Sequence, residues 1–183
     1  MKTNESLFHY VARLALTLLA ITSVVAAILA GVNSVTAPRI ASLKEQKLQN
    51  AIEAVLPGGG QEVSFTDETG MVTKVYKGDA GYAIQVAPSG FNAAIDMMVG
   101  VSKDGKVLGI SIISCTDTPG LGATVAAENS AGEAFRSQFV GMSGQLAVTK
   151  DGGTVDAVTS ATISSRAVTS GVNAALACAA NLG

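Results

Sequence analysis

A cluster of hydroxyl side chains stands close to the C-terminus, at a position where it could do chemistry. Thr159, Ser160 and Thr162 follow Asp156 just before an Ala-rich run whose spacing predicts a helix over 163–182. The first N–H groups of a helix have no partner within it, and the positive end of its dipole favours an anion. Such hydroxyls can hold a phosphate or merely cap the helix, and spacing alone leaves capping at least as good an interpretation.

The sequence lacks the residues that nucleophilic or metal-based catalysis needs. A threonine hydroxyl such as that of Thr162 is a poor nucleophile without a base, and the single histidine, His9, is remote in sequence. Cys115 and Cys178 are too far apart for a Cys-x-x-Cys pair. The sequence therefore predicts no catalytic residue and no metal centre, and a phosphoester on Thr162 would require another enzyme.

A second segment that could take part in chemistry is the glycine-rich loop over 117–122, which reads DTPGLG. Proline fixes φ at one turn position and glycine accepts a positive φ at the next, so a plain tight turn is one interpretation. The other is a binding loop whose backbone approaches a planar ring, with Leu121 as an apolar contact.

These two segments need a scaffold, and the preceding residues predict a β-rich one. Apolar alternation divided by turn residues predicts strands over 63–65, 71–76, 82–86, 94–102 and 106–114. Asp104-Gly105 indicates a hairpin with a two-residue type I′ turn, which requires positive φ. A short helix over 130–139, a strand over 145–149 and the C-terminal helix complete an α+β fold.

The N-terminal region predicts a membrane anchor. Residues 14–32 contain no charged side chain, a length that spans a bilayer and exceeds the usual core of a cleaved signal peptide. Lys2 and Arg13 precede this run and favour a cytoplasmic N-terminus, although three basic residues that follow it pull the other way. We expect the helix to end at Thr36-Ala37-Pro38.

An amphipathic stalk helix is predicted next, because apolar residues over 39–56 recur at near-helical spacing among charges. The PGGG segment over 57–60 ends it. The chain is thus predicted to comprise an anchor over 1–35, a stalk helix and linker over 36–60, and a β-rich domain with flanking helices over 61–183.

The composition does not indicate nucleic-acid binding. The net charge is −2 and only 4% of the residues are aromatic, so the chain lacks the basic surface that such binding needs.

Together the two chemical segments resemble the RnfG/NqrC family of membrane electron-transfer subunits. The family carries FMN on the last threonine of a D-x-x-[ST]-[GS]-A-T pattern, which matches Asp156 to Thr162 here. Its glycine loop usually reads ETPGLG, so Asp117 replaces a glutamate, and Ser160 stands where glycine is frequent. The order of anchor, stalk, β-rich segment, loop and threonine motif extends the resemblance over nearly the whole chain.

The resemblance implies an FMN-binding domain with FMN attached to Thr162 by a phosphoester, installed by a flavin transferase that uses FAD and Mg²⁺. Asp156 and Ser160, within the motif that also contains Thr159 and Ala161, would serve transferase recognition or hold the phosphate. The implied contacts of the isoalloxazine are Thr118, Gly120, Leu121 and Gly122, with Asp117 near the ring or the ribityl chain.

The function implied by the resemblance is electron relay in an Rnf-type ion-translocating ferredoxin:NAD⁺ oxidoreductase. The protein would sit in the inner (cytoplasmic) membrane with its flavin domain on the outer side, among other subunits of the complex. Alternatives are an NqrC-type subunit of Na⁺-translocating NADH:quinone oxidoreductase, a stand-alone tethered flavin domain, and a tethered binding module without flavin.

Overall fold

The computed structural model describes residues 2–67 and 69–182. The chain divides into two compact units between Gln46 and Lys47. The first helix, α1 (Lys2–Val55), supplies the whole of the first unit that is described. Its apolar stretch is long enough to cross a membrane, and its large side chains, such as Leu18 and Ile28, are exposed. An apolar helix with such a surface is typical of a membrane span.

The prediction that Thr36-Ala37-Pro38 ends the membrane helix is wrong, because α1 continues through Pro38. Proline removes one N–H from the helical ladder, and long helices in membranes tolerate this loss. The hydroxyl of Thr36 donates to the carbonyl of Val32, at 2.7 Å, within the turn that precedes the proline.

The second unit begins with the last turns of α1, which pack on one face of the sheet. Ala51, Ile52 and Val55 are buried, together with Leu56 just after the helix, against sheet residues that include Met98. The helix ends at Val55, just before the PGGG segment, as predicted.

The sheet has five antiparallel strands in the order of the sequence. They are β1 (Gln61–Glu62), β2 (Val72–Lys77), β3 (Gly81–Val86), β4 (Asp96–Ser102) and β5 (Val107–Ser114). β3, β4 and β5 share the longest pairings. In their register, Val99 of β4 lies between Ile84 of β3 and Ile110 of β5. This meander of neighbouring hairpins places the end of β5 at the start of the DTPGLG loop.

Three local predictions for strands and turns are wrong. Residues 63–65 lie outside the strands, although the N–H of Val63 donates to the carbonyl of Val75. The hairpin between β4 and β5 exists, but only Gly105 has positive φ, so its loop is not the two-residue type I′ turn. Residues 145–149 form no strand; a single parallel bridge joins Val148 to Val155.

The C-terminal helix covers the opposite face of the sheet. α3 (Thr162–Ala180) buries Val168 and Val172 in a cluster with Ile84 and Val99. Gly171 allows this approach, since a Cβ there would collide with the side chain of Met97. A second short helix, α2 (Ser130–Ser137), follows the DTPGLG loop. The predicted α+β architecture is confirmed, with the start of α3 in contact with the loop that follows β5.

Candidate functional site

A cleft of about 310 Å³ opens where the DTPGLG loop meets the first turn of α3. Its lining residues are Phe91, Thr118, Leu121, Gly122, Ser160, Ala161, Thr162, Ile163 and Ser164. The fold therefore brings together the DTPGLG loop and the hydroxyl cluster, which lie about forty residues apart in the sequence.

The carboxylate of Asp117 joins the segments that form this cleft. It is buried, with 4% of the residue exposed, and accepts a hydrogen bond of 2.6 Å from the Ser164 hydroxyl in α3. It also accepts from the backbone N–H groups of Asn92, at 2.9 Å, and Phe91, at 3.4 Å. Burial by itself would raise the pKa of Asp117, but these three hydrogen bonds outweigh it and hold the pKa below its ordinary value. The residue is thus an anionic brace beneath the cleft.

Two positions of the loop favour glycine, each for a different structural reason. A Cβ on Gly122 would lie 2.5 Å from Ser164 Oγ and 2.9 Å from Asp117 Cβ, so only glycine fits between α3 and the brace. Gly120 has a φ of +74°, a conformation that favours glycine, and faces a neighbouring cleft beside α2.

The capping interpretation of the hydroxyl cluster is wrong, because the N-cap of α3 is Ala161 and no side chain caps the helix. The Ser164 hydroxyl bonds to Asp117, and the Ser165 hydroxyl accepts from the N–H of Val158 at 3.0 Å. No side-chain hydroxyl therefore caps the first N–H groups of α3, which have no partner within the helix itself.

Ser160 is the one non-glycine residue with positive φ in the described part of the chain, at +64°. Left-handed backbone costs a residue with a Cβ about 1–2 kcal/mol relative to the right-handed region. The turn into α3 therefore has a conformation suited to glycine, and serine occupies it at an energetic cost.

Thr162 has a cationic neighbour that spacing did not reveal. The ammonium of Lys150 donates a hydrogen bond of 3.0 Å to Thr162 Oγ1. Lys150 lies on a short 3-10 helix, Thr149–Asp151. Asp151 in that helix forms an ion pair with Arg166 of α3, at 2.6 Å. A lysine twelve residues before Thr162 gives no sequence signal of this contact.

Apolar side chains form the rim of the cleft. Three large apolar residues of this small cleft have unusually high exposed fractions. These are 64% for Phe91, 46% for Leu121 and 50% for Ile163. Leu121 was predicted as an apolar contact, whereas Phe91 and Ile163 were missed because neither belongs to a glycine or hydroxyl motif. The rim presents an open, apolar surface for a flat ring.

The remaining predicted site residues lie beside the cleft and not in it. Asp156 and Thr159 line the neighbouring cleft with Gly120, next to α2. The backbone of Asp156 is fixed by Gln138, whose amide oxygen accepts from its N–H at 2.8 Å and whose amide nitrogen donates to its carbonyl at 3.2 Å. No cluster of three or more potential metal ligands occurs among the described residues.

Two family models match this chain. The FMN-binding domain matches residues 90–177, which contain the whole cleft. The RnfG N-terminal region matches residues 1–55, which correspond to α1 and the residue before it.

Curated relatives match over most of their length. The chain is 33% identical to the G subunit of the Na⁺-translocating ferredoxin:NAD⁺ oxidoreductase complex of Acetobacterium woodii, covering 100% of this chain and 99% of that protein. It is 34% identical to the G subunit of the proton-translocating ferredoxin:NAD⁺ oxidoreductase complex of Clostridium ljungdahlii, covering 81% and 80%. For the G subunit of the ion-translocating oxidoreductase complex of Methanosarcina acetivorans the identity is 29%, covering 91% and 93%.

Proposed function

Because this chain belongs to the RnfG family, the G subunits of ion-translocating ferredoxin:NAD⁺ oxidoreductase complexes, we propose that it is a membrane-anchored electron carrier with FMN esterified to Thr162. The observation that carries the proposal is the single cleft shared by the DTPGLG loop and the threonine motif.

The residues of the cleft fit an FMN. The apolar rim of Phe91, Leu121 and Ile163 suits the isoalloxazine, and Thr162 with Lys150 suits the phosphate end. Bound FMN would supply one- and two-electron redox chemistry, and the protein would orient the ring and tune its potential. The proposed role is electron relay to partner subunits, so no residue is assigned a catalytic role.

Each predicted site residue takes a place in this proposal. Thr118, Leu121 and Gly122 would contact the ring, while Asp117 would position the loop through its buried hydrogen bonds. Gly120 would shape the loop through its positive φ.

The motif residues around the acceptor form a second group, namely Asp156, Thr159, Ser160 and Ala161. Asp156 and Thr159 are exposed and accessible to a flavin transferase, and Ser160 sets the turn that presents Thr162.

Attachment would be carried out by a flavin transferase that uses FAD and Mg²⁺. The Thr162 oxygen would bond to the phosphorus of the FMN half of FAD, the pyrophosphate bond would break, and AMP would leave with the bridging oxygen. The hydroxyl proton would pass to a base of the transferase, because the described residues near Thr162 include a lysine that donates to it and no histidine.

The proposed location is the inner (cytoplasmic) membrane, with the N-terminus cytoplasmic and the flavin domain on the outer side. The apolar part of α1 would serve as the single span, within an anchor over 1–35, a stalk and linker over 36–60, and the flavin domain over 61–183. A covalent link suits this place, since a flavin that cannot dissociate is not lost from the outer surface. The partners would be other subunits of an Rnf-type complex.

Intact-mass spectrometry tests the proposal on full-length protein produced with and without an active flavin transferase. We expect a mass increase of one FMN less one water only with the transferase, and fragmentation that locates it on Thr162. An unmodified mass, with the transferase active on a known target, would favour the tethered module without flavin.

A further inference from the structure

We propose that Lys150 is the positioning residue of the flavin attachment site: its ammonium orients the Thr162 hydroxyl before esterification and pairs with the phosphodiester afterwards. This inference rests on the proposed function. It adds a residue outside the threonine motif and assigns it an electrostatic role that can be measured separately.

The contact itself constrains the Thr162 hydroxyl. An ammonium has only donors, so the 3.0 Å contact between Lys150 Nζ and Thr162 Oγ1 must use a lone pair of the hydroxyl oxygen. The hydroxyl hydrogen then points away from Lys150, where a base of the transferase can accept it. Lys150 thereby fixes which side of the oxygen remains open.

The charge of Lys150 is available for a phosphate. Among the described residues, no carboxylate lies within ion-pair distance of Lys150, whereas the neighbouring cation Arg166 is already paired with Asp151. A phosphodiester on Thr162 carries one negative charge, and its free oxygens are two bonds from Oγ1. An ammonium that already contacts Oγ1 can reach them by rotation of its flexible side chain.

The backbone around Lys150 is built to hold the lysine in this place. The Thr149 N–H donates to the Val155 carbonyl at 2.8 Å, and the chain reverses at Gly152, whose φ is +83°. At Gly153 a Cβ would collide with the carbonyl of Ala147, so the reversal is closely packed. The pair of Asp151 with Arg166 then ties the 3-10 helix to α3, the helix that carries Thr162.

The test begins with the rate of flavin attachment. Purified full-length apo protein is incubated with flavin transferase, FAD and Mg²⁺, and covalent flavin is followed by fluorescence in denaturing gels. We expect Lys150→Met to slow attachment about two- to fivefold, since the pair is solvent-exposed, and Lys150→Arg to restore most of the rate. Lys103→Met, an exposed lysine in the hairpin between β4 and β5, should match the wild type.

A second measurement isolates the role of Lys150 after attachment. The melting temperature of apo and flavin-loaded protein is compared for wild type and Lys150→Met, at low and high salt. We expect attachment to stabilise the wild type more than the variant, with the difference shrinking at high salt, while the two apo proteins melt alike. A purely structural lysine would instead lower the apo melting temperature.

The outcomes separate the two claims. Lys150→Met that attaches flavin at the wild-type rate, with the wild-type gain in melting temperature, would overturn the inference and leave the proposed function intact. A wild type that accepts no flavin from an active transferase would overturn both.

Discussion

Ser164, in the first turn of α3, donates a hydrogen bond of 2.6 Å to the buried carboxylate of Asp117 in the DTPGLG loop. The two residues are 47 positions apart, and their contact fixes the loop against the helix that carries Thr162. Glycine at position 122 is what permits the approach, since a side chain there would occupy the same space. The geometry of the proposed flavin site thus depends on a pair that need not contact the flavin.

Replacing Asp117 by asparagine should destabilise the protein by about 1–3 kcal/mol. Asparagine offers one oxygen and an amide NH₂, and the latter would face the donors now bonded to the carboxylate. Urea unfolding of the apo protein measures the change, with Asp79→Asn, at an exposed position, as the matched control. Equal midpoints for the two variants would contradict the role of Asp117 as a brace.

Acid should weaken the wild type more than Asp117→Asn. The pKa of Asp117 lies below its ordinary value in the folded protein, because its hydrogen bonds outweigh the effect of burial. A carboxylate with a depressed pKa contributes stability above its unfolded pKa, about 3.9, which is lost as the pH falls through the folded pKa. The difference in melting temperature between wild type and variant should therefore shrink from pH 6 toward about pH 3. A pH-independent difference would show that ionisation of Asp117 contributes nothing.

Ser160→Gly should raise the stability of the apo protein by about 0.5–1 kcal/mol, because glycine adopts a φ of +64° without the steric cost that serine incurs. This gain is net of the larger backbone entropy that glycine loses on folding. Thr159→Gly, at a neighbouring exposed residue outside the positive-φ region, should be neutral or destabilising in the same urea experiment. Destabilisation by Ser160→Gly would mean that the serine side chain has a stabilising contact in solution.

Phe91→Ala should leave apo stability within about 0.5 kcal/mol of the wild type, because the side chain is 64% exposed. In flavin-loaded protein it should increase the accessibility of the ring, measured as stronger quenching of native flavin fluorescence by iodide. Val140→Ala, at an exposed apolar residue outside this cleft, serves as the control. Unchanged quenching would place the ring away from Phe91.

The sequence predicted the arrangement of the fold better than its local details. Period-two alternation identified the long strands β2 to β5, and the Ala-rich pattern identified α3, because each buries a continuous apolar face. The short strand predicted over 145–149 failed because Leu146 and Val148 are buried in the core while the backbone of the segment pairs only through the single bridge of Val148 with Val155. The prediction that the helix ends at Pro38 failed because a proline disturbs a helix only locally. The residues around Pro38 do not indicate whether the helix continues beyond it.

For the site, the motifs predicted two segments that the fold brings together, but not the contacts of their individual residues. The loop and Thr162 do share a cleft, yet Asp117 lies beneath it and Asp156 beside it. Lys150 lies on a 3-10 helix and Phe91 in the loop between β3 and β4. Long-range contacts set both positions, so spacing along the chain gave no signal of them.

The most direct test of the central claim is in-gel flavin fluorescence after boiling in SDS. Wild type and Thr162→Val are each produced with an active flavin transferase, and Thr162→Val removes the acceptor oxygen while keeping a β-branched side chain at the start of α3. We predict fluorescence in the wild type alone. Fluorescence of equal strength in both would move the attachment to another residue, and a dark wild type would contradict the electron-carrier account as a whole.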